Sequence, residues 1–142
     1  MKIGIGGSRK APKSCLLKAI DNSPWKGKIK EILSGESGNI DKAAKEYAYN
    51  QLIKFSPFPA MWNDFSGAYG PVVIAYLNGR KYNAAAGPNR NQRMVDNADA
   101  FIYVWDEISP GTKDCIERAI AKNIPYYIWY YNKDKGEYFP PK

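Results

Sequence analysis

Four short stretches hold the residue types that seat an anion or work on one. They are Gly7-Ser8-Arg9, Ser34-Gly35-Glu36-Ser37-Gly38, Arg90-Asn91 with Arg93, and Asp106 through Gly111-Thr112. Glycine turns and helix starts present free backbone N–H groups, which attract negative charge. Arginine adds charge-assisted hydrogen bonds to phosphate. Carboxylates stand nearby at Glu36, Asp106, Glu107, Asp114 and Glu117. Asp114 and Glu117 are three apart on one helix face, where a carboxylate can stabilise an oxocarbenium-like centre or activate water. The plainer reading makes both of them solvated carboxylates favoured by the helix dipole.

Other chemistry is excluded by composition. The chain has no histidine, so Ser-His-Asp and Cys-His catalysis are ruled out, and two cysteines without histidine make no zinc site. Cys15 and Cys115 both fall at apolar helix positions and read as small buried hydrophobes. No metal and no cofactor is implied. The net charge of +7 suits an anionic partner. The basic residues are scattered, with no stripe or arm, so nucleic acid is disfavoured against a phosphorylated small molecule.

With 142 residues, 44% of them hydrophobic and 25% charged, the chain reads as one globular domain. No apolar run is long enough to span a bilayer. The short apolar start, KIGIGG, does not resemble a signal peptide. The expectation is a cytoplasmic protein, of a bacterium or a phage-infected host, without a membrane partner.

The loops need elements to hold them. KIGIGG (2–7) reads as a buried strand ending in a glycine turn, and KIKEILSG (28–35) as a second strand. Between them Cys15, Leu16, Ala19 and Ile20 have helical spacing. Ile40, Ala43, Ala44, Tyr47, Ala48 and Leu52 form one apolar helix face behind an N-cap at Asn39. SPFPAMW supplies a short third strand. Asn78-Gly79, between Val72–Leu77 and Arg80–Ala84, predicts a β-hairpin inserted at about 70–86. A short helix over 89–99 turns Met94, Val95 and Ala98 inward. AFIYVW (100–105) is apolar throughout, like a central parallel strand. A helix capped by Thr112 follows, with Cys115, Ile116, Ala119 and Ile120 inward, and IPYYIWYY is the last strand. Residues 133–142 read as a loose tail after a domain of residues 1–132. Strand and helix alternate, so the expected fold is α/β: a Rossmann-like three-layer sandwich with a mainly parallel sheet and an inserted β-hairpin. An isolated hairpin is marginal in water, so this one is expected to pack on a second copy, giving a homo-oligomer, or to close over a ligand.

The motifs, taken in order, resemble the SLOG superfamily. They are GGSR after the first strand, SGESGNID after the second, a Trp after the third, GPNRNQRM before the fourth and SPGTKDCIERA after it. The likeness runs from Lys2 to about Tyr130 and is nearest the small YspA-like branch, related to the Lonely Guy phosphoribohydrolases and the Smf/DNA-processing proteins. It implies a fold that binds nucleotide-derived ligands. By motif, Gly7, Ser8, Arg9, Ser34, Gly35, Gly38, Arg90 and Asn91 would line the ligand pocket, and Gly111 and Thr112 would hold phosphate. Asp106 joins this set from the loop after AFIYVW, and Glu36 would reach a ribose hydroxyl. There are departures. The branch carries SGGARGAD where this chain has SGESGNID, and the Lonely Guy enzymes carry PGGxGTxxE with a catalytic Glu. Here Asp114 stands near that Glu, and Glu117 lies one turn on. The leading expectation is a sensor or sequestering protein for an ADP-ribose-like or cyclic nucleotide signal, a role that would fit a phage sponge. The alternatives are a nucleotide phosphoribohydrolase and, behind it, a DNA-processing type of DNA binder.

Overall fold

The structure, a computed structural model, describes residues 1–35 and 38–142. Six strands form the main sheet: β1 (Lys2–Gly7), β2 (Glu31–Ser34), β3 (Lys54–Pro57), β6 (Ala100–Trp105), β7 (Tyr126–Tyr130) and β8 (Lys135–Phe139). A separate two-stranded ribbon pairs β4 (Ile74–Leu77) with β5 (Arg80–Asn83). The helices are α1 (Lys13–Asn22), α2 (Gly38–Asn50), α3 (Ala86–Asn97) and α4 (Pro110–Lys122). The main sheet runs β3-β2-β1-β6-β7-β8, parallel except for β8. This is the expected α/β sandwich. Its strand order reverses between β1 and β6, where a crevice opens at the carboxyl ends of the strands.

The two faces of the sheet carry different cores. Ile3, Ile5, Ile32, Ile102 and Val104 pack under α1 and α2. Leu33, Phe101, Tyr103 and Ile128 pack under α3 and α4 with Met94, Val95, Cys115 and Ile116. β1 alternates isoleucine with glycine so that β6 can fill the second face. Gly4 is in register with Phe101 and Gly6 with Tyr103, and a Cβ on Gly4 would collide with the Phe101 ring. The two aromatic rings stack there, 5.0 Å apart and 10° from parallel.

The hairpin turn is the one its sequence predicts. Asn78 and Gly79 both have positive φ, 51° and 77°, as a two-residue turn with the twist of a ribbon requires. The strands are shorter than expected because Asn83 ends β5. Its side chain accepts hydrogen bonds from the Val73 and Ala85 N–H groups at 2.9 and 3.0 Å and donates to the Asp64 carbonyl at 3.2 Å. That one amide ties the ribbon to the preceding loop.

Several expectations are corrected. The 133–142 tail is not loose, since residues 135–139 add β8 to the edge of β7. There Phe139 stacks on Tyr126 at 4.6 Å, and Trp25 meets Tyr138 edge-on at 5.9 Å. β3 begins two residues before SPFPAMW and ends at its first proline, Pro57, which suits an edge strand. α2 begins at Gly38, so Asn39 lies in its first turn, with its N–H on the Arg9 carbonyl at 2.9 Å. α2 stops at Asn50, so Leu52 is not on its apolar face but 95% exposed, with φ 56°. The Leu52 N–H reaches the Tyr49 carbonyl and the Ile53 N–H the Ala48 carbonyl, which is the Schellman pattern of a left-handed helix end. α3 starts at Ala86, three residues early, and Ile120 on α4 is exposed. Thr112 is no cap. Ser109 holds the N-cap position of α4 without a side-chain cap bond, Pro110 lies in the first turn, and Thr112 is buried inside that turn.

Candidate functional site

The crevice between β1 and β6 is a cavity of about 710 Å³. Its floor is Ile5 and Tyr103. The loop after β1 brings Gly7, Ser8 and Arg9, the end of β2 brings Gly35, and α2 brings Asp41. Arg90, Asn91 and Met94 come from α3, and Gly111, Thr112 and Asp114 from the start of α4. The fold therefore gathers ten of the residues singled out in the sequence: Gly7, Ser8, Arg9, Gly35, Arg90, Asn91, Asp106, Gly111, Thr112 and Asp114.

Three others stand apart, and a fourth is not described. Ser34 is fully buried beneath the cavity, with its hydroxyl 2.8 Å from Asp41 Oδ1 and 3.2 Å from the Ile5 carbonyl oxygen. Gly38, at φ 80°, lies under the Arg9 backbone, and a Cβ there would come within 2.8 Å of the Arg9 Cα. It shapes the loop and does not line it. Glu117 is exposed and pairs with Lys113 at 3.8 Å, away from the cavity. Glu36 lies outside the described residues.

Arg90 is the best-built group in the site. Its Nε donates to Asn91 Oδ1 at 3.1 Å, and its Nη1 lies 3.4 Å from the Phe58 carbonyl. The guanidinium lies so close to Gly35 that any side chain there would collide with it. Burial pushes its pKa down, the Asp41 carboxylate opposes that, and Arg93 and Arg9 add to the downward push. The guanidinium stays charged regardless. Among the described residues, Asp41 is the carboxylate that opposes the effect of burial on this cation. Arg9 is exposed at the rim and makes no ion pair with a described residue.

Asn91 is the hinge between α3 and α4. Its amide donates to the Gly111 carbonyl at 3.2 Å and to Asp114 Oδ2 at 3.0 Å. The same Asp114 oxygen accepts from Arg118 Nε at 2.9 Å. Asp114 is therefore on the cavity wall but oriented by two donors. Asp106 is tied down more fully. Its carboxylate accepts from the Ile108 N–H at 2.9 Å, the Ser109 N–H at 2.6 Å and the Ser109 hydroxyl at 2.7 Å. Burial pushes its pKa up, but the bonds from Ser109, Ile108 and Ser8 outweigh that and hold it at about 2. Asp106 lines the cavity while its carboxylate fixes the approach to α4. Gly111 and Thr112, in the first turn of that helix, line the cavity, and Ser109 makes no side-chain cap to the helix's first N–H groups.

Sequence reasoning missed two members of the site. Asp41 reads as an ordinary acidic residue in a helix's first turn, and only the fold shows it 8% exposed beside Arg90. Tyr131 reads as the end of the last strand but reaches the cavity. Among the described residues no helix is long and apolar enough to cross a membrane. Compared with known proteins, the chain matches no family model, no curated protein and no solved structure.

Proposed function

We propose that the cleft binds a nucleotide-derived small molecule through its phosphate, and that the protein senses or sequesters that molecule. The observation that carries this reading is Arg90, a largely buried cation wedged over Gly35, facing the same cavity as the uncapped start of α4. A guanidinium beside free helix N–H groups is a strong arrangement for phosphate. The motifs that resemble the SLOG superfamily supply the residues around this cavity, which supports an ADP-ribose-like or cyclic nucleotide ligand. Asp114 on the cavity wall favours a second reading, hydrolysis of the ligand's N-glycosidic bond.

Calorimetric titration with AMP, ADP-ribose, NAD and cyclic nucleotides tests the proposal, with chromatography of each mixture afterwards. A ligand that binds and returns intact supports sensing or sequestering. Free base and sugar phosphate support hydrolysis. No heat with any of them removes both.

Self-association through the ribbon belongs to the same proposal. Val73, Ile74, Tyr76 and Leu77 are each more than half exposed, an apolar group large for two short strands. Light scattering of the wild type and of Ile74→Lys/Leu77→Lys checks it. An oligomer that the double substitution turns into a monomer supports the ribbon as the contact, and a monomeric wild type ends that part of the reading.

A further inference from the structure

The chain has four tryptophans, and three of them have structural work. Trp25 and Trp129 are 5% and 7% exposed in the core. Trp105 is partly buried against the second core, and its indole N–H donates to the Ser109 carbonyl at 3.2 Å. Trp62 differs. It is 42% exposed, it sits between β3 and the ribbon, and it lines the cavity.

The indole is held in place. The Asn83 N–H donates to the Trp62 carbonyl at 2.7 Å, and Tyr82 meets the ring edge-on, 6.2 Å away and 66° from parallel. Its far edge reaches the first turn of α3, where Cη2 stands 3.4 Å from the place a Gly87 Cβ would take. A flat, fixed aromatic surface therefore lines the same cavity as the candidate phosphate cation, Arg90.

We propose that Trp62 is the base-stacking wall of the cleft, so that the ligand carries a planar heteroaromatic base as well as its phosphate. The proposal rests on the phosphate reading of Arg90 and adds a specificity-determining residue to it. Stacking recognises any base through its π face and leaves the phosphate contact unchanged. The stretch between β3 and the ribbon then has a direct role, which is to deliver an exposed indole to a cavity whose other aromatics are Tyr103 and Tyr131.

The test compares three probes, AMP, GMP and ribose 5-phosphate, by calorimetry on the wild type, Trp62→Phe and Trp62→Ala. The wild type should bind at least one nucleotide about fivefold or more tighter than ribose 5-phosphate, the low end of what stacking one base contributes. Trp62→Ala should remove that preference and leave ribose 5-phosphate unchanged, while Trp62→Phe keeps most of it. Equal binding of all three probes by the wild type overturns the stacking wall but leaves phosphate recognition standing. An equal loss for all probes in Trp62→Ala also overturns it, since that is the mark of a structural role. If none of the probes binds, both proposals fall. Should Trp62→Ala not fold, the wild-type comparison and Trp62→Phe decide.

Discussion

Gly35 and Arg90 are in van der Waals conflict with any alternative to glycine: the Arg90 guanidinium occupies the space a Gly35 side chain would need. The relationship joins the end of β2 to the first turns of α3 and fixes where the site's cation sits. Gly35→Ala should displace Arg90 and destabilise the fold by about 1–3 kcal/mol, as overpacking does. A lowered melting temperature together with lost nucleotide binding checks both halves. Arg90→Lys should also lose most binding, because a point charge does not replace the planar fork.

Asp106 should make stability depend on pH in acid. Its folded pKa of about 2 lies below the usual unfolded value of about 3.9, so the stabilisation is fully present above pH 4. It is lost as pH falls from about 4 towards 2. At pH 7, Asp106→Asn should cost about 1–2 kcal/mol, a figure reduced for solvent screening at a part-exposed site. Denaturant melts of both proteins at pH 7 and at pH 2 should show that difference shrinking in acid.

Leu52 offers the reverse experiment. A leucine at φ 56°, 95% exposed, takes the left-handed position that glycine favours at a helix end. Leu52→Gly removes the Cβ strain and forfeits little burial. It should raise stability by about 0.5–1 kcal/mol after the unfolded chain's extra freedom is counted, visible as a higher denaturant midpoint at unchanged slope.

The two acidic residues of α4 should separate cleanly. Glu117 faces solvent and pairs with Lys113 four residues earlier, so Glu117→Ala should leave binding unchanged and cost at most about 0.5 kcal/mol. Asp114→Asn alters a cavity wall bonded to Asn91 and Arg118. If hydrolysis occurs, product formation should fall with Asp114→Asn and hold with Glu117→Ala, as chromatography of the reaction would show.

Much of this architecture was readable from spacing. The alternation of strand and helix predicts the layered sheet, and AFIYVW predicts the central strand that the fold buries from Ala100 to Val104. Asn78-Gly79 predicts its turn from local chemistry alone. The misses are places where partners decide. KGEYF has charges and a glycine and becomes a strand only because β7 offers an open edge. Thr112 resembles a cap until Asp106 is seen holding Ser109. In the site, glycine, serine and arginine were visible at strand ends because their types signal loops. Asp41 and Tyr131 were not placed there, because a helix-start aspartate and a strand-end tyrosine gain meaning only from what stands across the cleft.

β8 also governs how the sheet meets its surroundings. A sheet of unguarded parallel strands invites edge-to-edge growth, and natural proteins blunt their borders against it. One border here is β8, carrying Lys135 and Glu137; the other is the four-residue β3, ending in Pro57. Both borders discourage further strand addition. The open edge of β4, with Ile74, Tyr76 and Leu77, has no such guard. Fibril-like or ordered self-pairing of this chain would therefore begin at the ribbon and not at the sheet, and cutting the chain before Lys135 would uncover the β7 edge as a second place for it to start.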